Sequence, residues 1–121
     1  RLSLVGSEMC IRDRGISLEV IDLRSLSPVD YDTVATSVRK TGRVVVAHEA
    51  SREAGMAAEV IASVTERCFE YLESAPLRVT GHDVPYPPAK LEKYHLPDLD
   101  RLLDAVDRVL DRPNSLTGAD A

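Results

Sequence analysis

Three short stretches carry side chains able to do chemistry. His48 and Glu49, followed by Ala50, join an imidazole that titrates near neutrality to a carboxylate, the pairing used in general acid–base catalysis. His82 and Asp83 stand beside a ProTyrProPro run containing Tyr86, and an aspartate next to a histidine can orient its ring. Lys90, Glu92, Lys93, Tyr94 and His95 form a mixed-charge run. Longer motifs are missing: there is no GxGxxG after a strand, no GxxxxGK, no GxSxG elbow and no HExxH. A self-contained enzyme of those types is excluded.

The elements that carry these residues decide between chemistry and packing. Val44, Val45, Val46 and Ala47 form an apolar run too short for a helix, as in a strand buried on both faces of a parallel sheet, and His48 stands at its carboxyl end. Ligand sites of α/β sheets gather at those ends. Successive residues of a strand point to opposite faces, however, so His48 and Glu49 should diverge, and a structural or interface role outweighs catalysis. The prolines around His82, Asp83 and Tyr86 make rigid backbone, which favours packing against another chain over a catalytic loop. The run from Lys90 to His95 reads as solvated surface, where exposed ion pairs are worth about 0–1 kcal/mol.

Around these stretches the chain alternates strand and helix from Gly15 onward. Residues 16–23, rich in β-branched and apolar types, predict a strand. Ser27 and Pro28 suit a cap and first helical position, Asp30 faces the positive helix end, and Lys40 with Gly42 close the element. Residues 43–48 are the second strand. A long helix follows over 55–72, with Met56, Val60, Val64, Cys68 and Tyr71 on one face. Pro76 breaks the chain before a strand at 77–80, residues 81–97 are too rich in proline for long regular structure, and a last helix is expected over 98–110. The pattern is α/β: three layers, α/β/α, about a mainly parallel sheet.

Composition narrows the partners. The 121 residues allow one domain of ordinary size, and 15 basic against 20 acidic residues give a net charge of −5 without a basic stripe, which argues against nucleic acid. Hydrophobic residues at 44% and charged residues at 29% place the chain among folding sequences. No apolar run approaches the roughly 18–20 residues that span a bilayer, so no membrane role is expected. Cys10 and Cys68 stand in no CxxC or Cys/His cluster, and with no secretory signal pattern a cytoplasmic location is the expectation. Cys68 should pack as a small hydrophobe.

Four segments, EVIDLRSLSPVD (19–30), KTGRVVVAHEA (40–50), APLRVTGHDVPYP (75–87) and LPDLDRLLDAV (96–106), resemble in order and spacing the C-terminal domain of one family. It is the beta subunit of the thiamine-diphosphate-dependent 2-oxo acid dehydrogenases, the decarboxylating component of the pyruvate and branched-chain complexes. HisGluAla and ProTyrProPro look more like the branched-chain, 2-oxoisovalerate type. The resemblance implies a transketolase C-terminal-like fold and an α₂β₂ enzyme that decarboxylates a 2-oxo acid and passes the acyl group to a lipoyl domain. Thiamine diphosphate with magnesium is implied for the whole enzyme, bound outside this segment.

The resemblance assigns this domain to assembly: it packs beta against a second beta subunit and receives the subunit-binding domain of the lipoyl acyltransferase core. By position Glu73 matches an acidic site that contacts that small domain, through pairing with Arg or Lys of a basic partner. The competing reading of Glu73 is a solvated charge ending a helix. His48, Glu49, His82, Asp83 and Tyr86 are the other expected partner contacts. Two alternatives stand beside this: an α/β interaction module without enzyme activity, and the corresponding domain of another thiamine enzyme, against which RVTGHDVPYPP argues.

The departure from the family lies at the front. Residues 1–14, RLSLVGSEMCIRDR, show neither helical nor strand periodicity and resemble a translated sequencing-adaptor read-through, so they are read as a non-native leader. The domain proper is then 15–111, lacking its first strand and helix, with a flexible tail over 112–121. Marginal stability of the isolated chain follows, because a strand edge and a sheet face are left open.

Overall fold

The computed structural model describes residues 4–111, so the tail read as flexible lies outside the described residues. Helix α1 covers Leu4–Asp13, α2 Tyr31–Thr41, α3 Met56–Cys68, α4 Glu92–His95 and α5 Leu99–Val109; strands β1 and β2 are Val45–Ser51 and Leu77–Gly81. The strands pair in parallel, Val45 opposite Leu77 and Ala47 opposite Val79, with an irregularity before Ser51 meets Gly81. Helix α3 is the crossover that a parallel pair requires.

Local chemistry sets the boundaries. Asp30, not Ser27, caps α2: its carboxylate accepts the Thr33 backbone N–H at 3.0 Å and the Thr33 hydroxyl at 2.7 Å. The expected start at Ser27 and Pro28 therefore moves to Tyr31, and those bonds hold the Asp30 carboxyl below its ordinary pKa. Gly42 ends the helix in the left-handed region, φ 70°, and donates its N–H to the Val38 carbonyl at 2.8 Å. The long helix closes at Cys68 and tightens into a 3₁₀ turn over Phe69–Tyr71. A 3₁₀ turn advances by a third of a circle per residue, so Tyr71 leaves the apolar face and is half exposed.

Two apolar clusters hold the layers. Val34, Ala35 and Val38 of α2 meet Val60, Val64 and Cys68 of α3, with Val44 and Val46 packed against them. Cys68 is buried with its Sγ 3.7 Å from the Ala35 carbonyl oxygen, the small-hydrophobe role expected of it. Leu103 of α5, Ile11 and Ile16 form the second cluster, bordered by Leu99, Leu102, Val106 and Leu110. Helix α5 lies against both strands and is capped by Asp98, whose carboxylate accepts the Arg101 N–H at 2.8 Å. The architecture is α/β, as read from the sequence.

Three expectations need correction. Residues 16–23 are extended but join no ladder: the described sheet is β1 and β2 alone, and no backbone hydrogen bond between main chains reaches 16–22 among the described residues. The segment is tied instead by Glu19, which accepts from Ser37 Oγ at 2.6 Å and pairs with Lys40 on α2. Its carboxyl is held below the usual value, first by the Lys40 hydrogen bond and then by Ser37. The strand read as buried on both faces is half-buried at Val45 and Val46 and exposed at Ala47, because it has a neighbour on one edge only. Finally, the stretch without periodicity, 4–13, is helical: Ser7 and Ile11, one turn apart, are buried, and Arg14 just beyond reaches the buried Asp107 at 3.1 Å.

Candidate functional site

The carboxyl ends of β1 and β2 lie side by side, and residues from three elements converge there. Gly81 is the hinge of the arrangement. A Cβ at this position would sit 2.4 Å from the Glu49 carbonyl oxygen and 2.5 Å from His95 Nε2, so only glycine lets the α4 histidine close onto the strand end. His95 is 4% exposed, and its ring stands edge-on to Tyr86 at 5.0 Å and to His82 at 6.1 Å. The solvated reading of the 90–95 run thus fails at His95. Its Nδ1 is buried and has no hydrogen-bond partner among the described residues.

Tyr86 donates its hydroxyl to the Glu92 carboxylate. That bond, with burial and the charges of Glu92 and Glu49, pushes the phenol up to about 12. Asp83 does not orient His82; its carboxylate accepts the Glu53 backbone N–H at 2.8 Å and pins the proline loop to the turn after β1. His48 Nδ1 lies 3.1 Å from the Ala50 carbonyl, which makes Nδ1 the donor and leaves the buried Nε2 unpartnered over Gly55. Glu49 is exposed on the opposite side, towards Tyr86. Strand geometry separates His48 from Glu49, as its alternation requires.

Glu73 lies apart from this cluster, in the connection after α3. Its N–H donates to the Gly42 carbonyl at 2.8 Å and its carboxylate pairs with Arg43, which also donates Nε–H to the Val109 carbonyl at 2.8 Å. The Glu73 side chain is half exposed, and Phe69 and Tyr71, four and two residues earlier, are exposed beside it in the chain. Arg39 stacks over Tyr71 at 5.9 Å.

Sequence reasoning reads Glu92 and His95 as solvated surface and does not single out Arg43. The ring neighbours of His95, His82 and Tyr86, come from the proline loop folded back over α4, and the glycine ending β2 is a local sign of the close approach. Tyr86 and Asp83 are hydrogen-bonded within the cluster while His48 Nε2 and His95 Nδ1 are not, and among the described residues no group of three His, Cys, Asp or Glu could hold a metal. Val84, Tyr86, Leu91 and Tyr94 are each more than half exposed along the proline loop and α4, interspersed with exposed His82, Asp83, Lys90 and Lys93. Exposed apolar side chains grouped on a pinned loop are a surface suited to packing.

The strands β1 and β2 with the crossover helix α3 form a parallel α/β unit. The Transketolase, C-terminal domain family matches residues 9–102, and the chain belongs to that family. It is 57% identical over 97 residues to a Mycobacterium tuberculosis protein named 3-methyl-2-oxobutanoate dehydrogenase subunit beta, covering 80% of this chain and 28% of that protein. It is 56% identical over 98 residues to the pyruvate dehydrogenase E1 component subunit beta of Leifsonia xyli, covering 81% and 29%. A Dictyostelium discoideum mitochondrial 2-oxoisovalerate dehydrogenase subunit beta is 48% identical over 98 residues, covering 81% and 26%. The chain therefore spans less than a third of the length of these relatives.

Proposed function

We propose that this chain is the C-terminal part of the beta subunit of a 2-oxo acid dehydrogenase decarboxylating component. The observation that carries the proposal is the identity of 57% and 56% to two beta subunits of such enzymes. The enzyme would decarboxylate a 2-oxo acid with an alpha subunit as partner and pass the acyl group to a lipoyl domain. Thiamine diphosphate and magnesium supply the carbanion chemistry of that reaction. The described residues do not fit this cofactor, having neither a metal-ligand cluster nor a glycine-rich phosphate loop, so the proposal holds it outside this segment.

The local role proposed is assembly. The apolar surface of Val84, Tyr86, Leu91 and Tyr94 supports a contact with a second beta subunit, aromatic residues being favoured at interface centres. Glu73, with Phe69 and Tyr71 exposed nearby, supports docking of the acyltransferase subunit-binding domain. A carboxylate already paired with Arg43 adds steering and register more than affinity. A branched-chain substrate is preferred on the HisGluAla and ProTyrProPro stretches, and a reducing, cytoplasmic setting on the free thiols of Cys10 and Cys68.

The test is reconstitution of the whole beta subunit, from its full reading frame, with its alpha subunit. Carbon dioxide release is then measured on pyruvate and on 3-methyl-2-oxobutanoate. Turnover of either acid supports the enzyme class, with the branched-chain acid expected to give the higher kcat/KM. No turnover of any 2-oxo acid by an assembled, cofactor-loaded complex refutes it.

A further inference from the structure

We draw no further inference here: the strongest candidate, the side-chain cluster at the end of β2 where buried His95 stands between Tyr86 and His82 with its Nδ1 meeting no hydrogen-bond partner among the described residues, belongs to the site already described, and nothing in the structure shows what would engage that nitrogen.

Discussion

Replacing Gly81 by alanine tests how the strand end is closed. The backbone there is not left-handed, so the substitution carries no conformational penalty and the cost is steric. The new Cβ meets a main-chain oxygen of β1 at 2.4 Å and a ring nitrogen of His95 at 2.5 Å. Neither can swing away as the end of a flexible side chain could: the first belongs to the neighbouring strand, and the second is held between Tyr86 and His82. Overpacking of this kind costs about 1–3 kcal/mol, offset by up to about 1 kcal/mol from the lower entropy of the unfolded alanine chain. A net loss of about 1–2 kcal/mol is expected, a fall in Tm of roughly 5–15 °C for a domain of this size. The assay is urea and thermal unfolding by circular dichroism, with the histidine and tyrosine ring resonances followed by NMR. Gly15→Ala is the contrasting variant, left-handed at φ 72° with open space around the new methyl, and should leave the ring resonances unmoved. Undiminished stability of Gly81→Ala, with His95, His82 and Tyr86 undisturbed, would refute the close-approach argument.

Three further outcomes are expected. Glu73→Lys in the whole beta subunit should weaken binding of the acyltransferase subunit-binding domain, most strongly at low salt, as read by titration calorimetry; unchanged affinity at low salt removes the docking role. The Tyr86 phenol must be neutral to donate to Glu92, so the stabilisation this bond provides is complete below the unfolded value of about 10 and is lost as pH rises through about 12. Phenolate absorbance should show one late-titrating tyrosine that disappears in Tyr86→Phe. Asp98→Ala should cost about 1 kcal/mol by removing the bond to the Arg101 N–H, measured by urea unfolding, with loss of helicity confined to α5.

The parts of the fold legible in the sequence were those encoded within one or two turns of chain. Gly42 ends its helix and Asp98 starts one because capping is local, and the leucine and valine spacing over 99–110 marks α5 as a helix, although only Leu103 and Val109 among those residues are buried. The strand at 16–23 was misjudged for the opposite reason: composition made it extended, but a strand needs a partner, and partners are not local. In the helix at 4–13, Ser7 and Ile11 are the buried residues among those whose side chains are described, and a polar serine in that pair gives no apolar stripe. At the candidate site, the divergence of His48 and Glu49 followed from strand alternation. The burial of His95 did not, since it depends on Gly81 and Tyr86, fourteen and nine residues earlier, folding back over α4. Likewise Glu73 drew notice through a resemblance, while Arg43, the residue that actually holds its carboxylate, is thirty positions away.

The central claim, that this segment serves as the assembly domain of a 2-oxo acid dehydrogenase beta subunit, is tested most directly by a chimera. Residues 15–111 of this chain would replace the matched region in the Mycobacterium tuberculosis 3-methyl-2-oxobutanoate dehydrogenase beta subunit, which keeps its own preceding sequence. The chimera is then expressed with its alpha subunit and measured by analytical ultracentrifugation and carbon dioxide release. The account predicts a complex of the parent's size that turns over 3-methyl-2-oxobutanoate at a rate comparable to the parent. A folded chimera that fails to assemble with its partners, or assembles without turnover, would contradict it.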